Sequence, residues 1–217
     1  MNSHESNSLC PLCEGNNCRP YYQDSKRCYQ QCGRCELVFV GAEYHLGPEQ
    51  EKAEYDLHDN SPHDAGYRRF LSRLCVPLCE RLPPAQRGLD FGCGPGPTLS
   101  LMLEEAGHAM TLYDPFYQPD NTVLAERYNF VTATEVVEHL FRPGQELEKL
   151  WRLLGRGGYL AVMTKLVLDV EAFARWHYKN DPTHVCFFSV ETWRWWASEH
   201  AARLEVIGSD VILLQQS

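Results

Sequence analysis

No apolar run in the 217-residue sequence approaches the roughly 18 residues needed to cross a bilayer. The opening stretch, MNSHESNSLCPLC, has neither the basic cluster nor the apolar core of an export signal. A cytoplasmic chain is the expectation. Positive charge is also in short supply: 20 Lys and Arg stand against 29 Asp and Glu, a net charge of −9. Such a balance repels polyanions and anionic surfaces, which argues against nucleic acid or a membrane as partner. Cysteine, by contrast, is plentiful. Six of the ten cysteines precede residue 36, and in a reducing compartment such crowding points to metal ligation rather than disulfides.

Four of those six form two CxxC turns, CPLC (Cys10, Cys13) and CGRC (Cys32, Cys35), separated by 18 residues. Each turn sets two thiolates on one side of a tight loop, and the two pairs together complete a tetrahedral Zn²⁺ site with no open position for a substrate. The expected zinc is therefore structural. It is needed for a module of few apolar side chains to fold, and not for chemistry elsewhere. Cys18 and Cys28 are surplus to the site. On this reading residues 1–42 form a zinc-ribbon-like module, 43–64 an acidic connector with room for one short helix, and 65–217 the main domain.

The main domain opens with AGYRRFLSRLCVPLCERL, where Phe70, Leu71, Leu74, Leu78 and Leu82 recur at three- and four-residue steps. That spacing predicts an amphipathic helix, bent near Pro77. An alternation follows: strand RGLDF, helix 97–106, strand HAMTLYD, helix 123–127, strand YNFVTAT, helix 144–154 and strand GYLAVMT. A helix over 190–200 and the strands RLEVIG and DVILLQ close the chain. Repeated βα units predict an α/β fold with a doubly wound, mostly parallel sheet, whose ligand sits at the carboxyl ends of the strands.

The first strand runs into LDFGCGPGP, with glycines at every second position: Gly92, Gly94 and Gly96. Glycine at a strand-to-helix turn lets backbone approach a ligand closely while helix amides point at it. The spacing is G-x-G-x-G, which departs from the G-x-G-x-x-G of dinucleotide sites. About twenty residues later TLYDP ends a second strand in Asp114, placed to accept the hydroxyls of a ribose. TATEVVEHL ends a third, and LWRLLGRGGYLAVMT supplies a helix, a glycine turn and a strand. In these four motifs, taken in this order, residues 70–214 resemble a class I S-adenosylmethionine-dependent methyltransferase, and the cysteine module is similar to zinc ribbons that precede some bacterial members. The resemblance implies that Asp90, Gly92, Gly94 and Gly96 surround the methionine end of S-adenosylmethionine, that Asp114 holds its ribose, and that Thr134 and Glu135 face the same pocket. One strand of the family pattern is missing or very short between Asp114 and Tyr128, so no residue is assigned to adenine.

Methyl transfer asks for positioning, exclusion of water and, for some acceptors, a base. Candidates for the last task are Glu135, Glu138, His139 and His184. The first three fall at i, i+3 and i+4 of a helical turn, one face, and His184 lies in the prolyl turn NDPTH. Converging, they form either a proton-accepting network or a site for a second divalent metal such as Mn²⁺, Fe²⁺ or Zn²⁺. The plainer alternative has Glu138 and His139 bracing the following helix. The aromatic stretch from Phe173 to Trp196 reads equally as a lid over an apolar acceptor or as packing. Three functions remain open: a methyltransferase of small molecules, a metal-assisted methyltransferase of RNA ends, which the Glu-x-x-Glu-His pattern resembles, and a non-catalytic cofactor-binding protein that docks a partner through its zinc module.

Overall fold

The computed structural model describes residues 9–57 and 61–217. Three short strands, β1 (Cys18–Gln23), β2 (Cys28–Cys32) and β3 (Val38–Val40), form an antiparallel ribbon, and α1 (Pro48–Tyr55) follows in the connector. The main domain then runs α2 (Ala65–Cys79), β4 (Arg87–Phe91), α3 (Thr98–Glu105), β5 (Ala109–Tyr113), β6 (Tyr128–Thr134), α4 (Pro143–Leu153), β7 (Leu154–Met163), α5 (Val170–Ala174), β8 (Cys186–Phe187), α6 (Val190–Glu199), β9 (Arg203–Ile207) and β10 (Val211–Gln215). The larger sheet has the order β5-β4-β6-β7-β10-β9, and β10 alone runs against the others.

Alternating residues of the central strands divide the sheet into two apolar faces. Phe130, Tyr159, Ala161, Met163, Val211 and Leu213 pack against Leu71, Leu74 and Leu78 of α2 and Leu99 and Leu103 of α3. Their neighbours Val131, Ala133, Leu160, Val162, Ile212 and Leu214 turn the other way, onto Leu147, Leu150 and Trp151 of α4 and Trp193 and Trp196 of α6. The period of two thus builds a sheet covered on both sides, as the βα alternation implied. A helix at 123–127 does not form. Asn121–Ala125 is a 3-10 turn, its first turn capped by Asp120 accepting from the Thr122 amide. No strand lies between β5 and β6 among the described residues, and β5 forms the sheet edge.

The ribbon does not stand apart. Its third strand pairs with β8, Val38 against Phe187 and Phe39 against Cys186, so the smaller sheet is β1-β2-β3-β8. Val38, Phe39 and Val40 are buried in the same apolar cluster as the sheet face beneath α4 and α6. The first cysteine turn also docks on α4: the Gly144 amide donates to the Pro11 carbonyl at 3.3 Å, and a Cβ at Gly144 would lie 2.2 Å from the Leu12 oxygen. Glycine is required at this close approach. Of the aromatic stretch, Phe173, Phe187, Phe188, Trp193 and Trp196 are buried, which favours packing at those positions.

Candidate active site

The glycine turn leaves β4 beside β6, where the strand order reverses and an open α/β sheet receives its ligand. Gly92 and Gly94 both have positive φ, 74° and 63°, and a Cβ on Gly92 would meet Val136 Cγ2 at 2.5 Å. The turn is tied to β5: the Gly92 and Cys93 amides donate to the Tyr113 carbonyl, and the Gly94 amide to Asp114 Oδ2 at 3.0 Å. Asp114 Oδ1 accepts from the amides of Phe116 and Tyr117. The Asp114 carboxylate thereby holds the two loops that border the pocket. Asp90 sits deeper. Ser100 Oγ and Thr132 Oγ1 each donate to one of its oxygens at 2.8 Å, and burial, opposed by these two bonds, raises its pKa to about 6. Asp90 therefore ties the turn from beneath to α3 and β6.

At the end of β6 the predicted helical turn is distorted. Glu135 adopts a left-handed φ of 52°, and Val137–His139 form a single 3-10 turn. Glu135 consequently falls outside the tightest cluster of the candidates but stays joined to it through Tyr178. Glu138, His139 and His184 do converge, each offering a ligand atom within 4.8 Å of the other two. Tyr178 links the groups: its hydroxyl donates to Glu138 Oε1 and lies 3.4 Å from both Glu135 Oε2 and Thr164 Oγ1. Burial raises the Glu135 pKa to about 7, and burial with the nearby Glu135 charge raises that of Glu138 to about 8. Among the described residues, Thr134 Oγ1, Glu135 Oε1 and Glu138 Oε2 are buried without a hydrogen-bond partner. Such atoms at the strand ends mark a place built for something else to bind.

His184 is 6% exposed, and its Nδ1 lies 2.7 Å from the Tyr178 carbonyl. A carbonyl only accepts, so Nδ1 carries the proton and Nε2 keeps its lone pair. Burial lowers the pKa of the ring despite Asp181 nearby, which favours this neutral form. Over the site lies α1. Tyr55 meets His139 edge-on, ring centroids 5.2 Å apart, and touches Phe116 of the loop after β5.

A family model described as a methyltransferase domain matches residues 63–206. The chain belongs to that family. It is a class I S-adenosylmethionine-dependent methyltransferase. No curated protein matches the chain. Among solved structures, the methyltransferase resembles the 1,6-didemethyltoxoflavin-N1-methyltransferase of Burkholderia thailandensis, with 16% identity over 92% of this chain and 99% of the other and a TM-score of 0.50. It also resembles the magnesium protoporphyrin IX methyltransferase of Synechocystis PCC 6803, with 14% identity over 81% and 94% and a TM-score of 0.53. At such identities the likeness is one of fold.

The residues of this methyltransferase suit the two groups that the family and the cysteines imply. For S-adenosylmethionine, the positive-φ turn at Gly92 and Gly94, the Asp114 carboxylate and the unpartnered Thr134 and Glu135 oxygens all lie at the carboxyl ends of the adjacent strands β4, β5 and β6. For zinc, the Sγ atoms of Cys10, Cys13, Cys32 and Cys35 all lie within 4.8 Å of one another, and the pairs Cys10–Cys35 and Cys13–Cys32 stand at 3.4 Å. A tetrahedron of Zn–S bonds near 2.3 Å has edges of about 3.8 Å. Several residues of the site escaped sequence reasoning. Tyr178 belongs to the aromatic stretch read equally as lid or packing, Thr164 follows a segment read as strand, and Tyr55 lies in the connector. Only the proximity of Tyr178 to NDPTH hinted at its part.

Proposed function

We propose that this methyltransferase methylates a small-molecule acceptor at a heteroatom that gives up a proton, with His184 Nε2 taking the proton while Glu138 and His139 hold it in place. The observation that carries this reading is the convergence of Glu138, His139 and His184 at the strand ends beside the cofactor turn, with the His184 tautomer set by the Tyr178 carbonyl. When bound, S-adenosylmethionine would supply a methyl group activated on its sulfonium, open to in-line attack by the acceptor's lone pair with the thioether of S-adenosylhomocysteine as leaving group. The chain's own contribution is placement. Gly92 and Gly94 admit the cofactor, Asp114 meets its ribose, Glu135 and Thr134 border the transfer path, and α1 with Tyr55 keeps water out. A neutral imidazole with its Nδ1–H engaged is a base matched to neutral pH. An acidic surface supports a small acceptor over a polyanion, as do the names of the two structural neighbours, which specify a toxoflavin precursor and a porphyrin.

The same three groups favour one further reading, in which Glu138, His139 and His184 hold a divalent cation that binds the acceptor, since one carboxylate and two imidazoles form a recognised ligand set. A single series tests both. S-adenosylhomocysteine release is measured against a panel of small acceptors, with and without chelator and with added Mn²⁺ or Zn²⁺. As a base, His184→Ala lowers the rate 10²- to 10⁴-fold, and any turnover lost on chelation returns with Zn²⁺ at the cysteines and not with Mn²⁺. As a ligand, chelation alone abolishes turnover and Mn²⁺ restores it. Full activity in both His184→Ala and His139→Ala would sink the two readings together.

A further inference from the structure

We propose that Arg27, in the turn between the first two ribbon strands, is a positioning residue for methyl transfer: its guanidinium holds the loop of residues 179–184 so that His184 faces the pocket. The inference rests on the role proposed for His184. Arg27 is 8% exposed, and its fork is spent on one short segment far along the chain. Nη1 donates to the His184 carbonyl at 2.8 Å, and Nη2 to the carbonyls of Asp181, at 3.0 Å, and Lys179. Nε donates to the Tyr29 hydroxyl at 3.2 Å. A planar cation whose loop acceptors are three main-chain carbonyls specifies the course of that backbone, because no other side chain presents several donors in one rigid plane.

The turn that carries Arg27 is itself braced. Asp24 Oδ1 accepts from the Lys26 and Arg27 amides at 2.8 Å each, and its Oδ2 accepts from Lys179 Nζ at 2.9 Å, so the loop and the turn grip each other from both sides. Past His184, the Val185 carbonyl accepts from the Val40 amide of β3, while the Val185 amide donates to the Glu138 carbonyl at 2.8 Å. The residue next to His184 is therefore clamped between the ribbon and the Glu138 turn. Apart from the 3-10 turn His177–Asn180, the loop has no regular structure of its own, and its shape comes from the ribbon. Because β2 ends in Cys32, a member of the cysteine cluster, the metal that orders the ribbon also orders the loop. On this proposal a zinc held by the cysteines would, besides ordering the ribbon, support catalysis at a distance.

The test uses the full chain loaded with zinc and two readouts that need no methyl acceptor. The first is S-adenosylhomocysteine affinity by calorimetry. The second is the state of His184, read as its ring tautomer by nitrogen NMR and its rate of carbethoxylation by mass spectrometry. In Arg27→Met, cofactor affinity should stay within twofold, while His184 loses its Nδ1–H preference and is modified at least tenfold faster. Chelation of the wild type should give the same signature. If His184 is unaltered in a variant that binds S-adenosylhomocysteine normally, the proposal fails. Should Arg27→Met lose cofactor binding as well, Arg27→Lys decides: cofactor binding with a disturbed His184 supports the proposal. An unaltered His184, or binding lost again, overturns it. Failure of the His184 reading would show separately, as full methyl transfer by His184→Ala.

Discussion

The glycine turn proposed for the cofactor and the groups proposed for the acceptor side are built in opposite ways. The turn is assembled from residues 88–118, contiguous strand, turn, helix and strand, and its hydrogen bonds join Gly94 to Asp114 and Cys93 to Tyr113 across one parallel strand pair. The acceptor side draws on five separated segments: Arg27 of the ribbon, Tyr55 of the connector, Glu135 to His139, Thr164, and Tyr178 to His184. Glycines and one carboxylate make the first; buried titratable groups with raised carboxyl pKa values make the second. A shared cofactor can be met by a local, repeatable solution, while a particular acceptor needs groups brought from wherever the fold can deliver them.

The comparison breaks most sharply at Gly92. Gly92→Val would force a branched side chain into a positive φ and onto Val136. A loss of at least about 3 kcal/mol in S-adenosylhomocysteine binding is expected by calorimetry, with the His139–His184 ring contact unaltered by NMR. Loss of both would show that the two halves are not separable.

Glu138 tests the acceptor half through pH. Its folded pKa of about 8 lies above its ordinary 4.5, so the native state binds more protons than the unfolded state between these values, and stability falls as pH rises from about 4.5 through 8. Glu138→Gln removes this slope. Relative to wild type in chelator, the variant should gain on the order of 2–4 kcal/mol between pH 5 and pH 9, read from urea midpoints. Parallel pH curves for the two proteins would show that Glu138 is not held protonated by its burial. Asp114→Ala returns to the cofactor half, where loss of a charged acceptor should cost about 1.5–3 kcal/mol of S-adenosylhomocysteine affinity and leave His184 carbethoxylation unchanged. Smallest is Lys149→Ala, on the outer face of α4, whose pairing with Glu146 is largely solvated. A stability change below about 0.5 kcal/mol is expected, and a larger one would place α4's outer face in a role that neither half explains.

The cofactor half was open to sequence reading because its signals are local. Glycines at a strand-to-helix turn, an aspartate ending the next strand and alternation at period two need no knowledge of distant contacts. The cysteine pairs were legible for the same reason, since a CxxC turn presets two ligands whatever surrounds it. Convergence of Glu138, His139 and His184 followed from spacing and a prolyl turn, but the exclusion of Glu135 from that trio did not, because its left-handed backbone arises where β6 meets the following turn. Nothing in YYQDSKRCYQ marks Arg27 or Asp24, and nothing in the aromatic stretch marks β8 as a strand that completes the ribbon sheet. By itself, then, the chain's order of residues determined the βα sheet, the glycine turn and the four-thiolate site, each a matter of neighbours within about twenty residues. Only the tertiary structure decided that the ribbon grips the acceptor loop, because hydrogen bonds between residues 27 and 184 depend on the packing of two sheets that share one core, and no local pattern encodes which carbonyls a buried guanidinium will find.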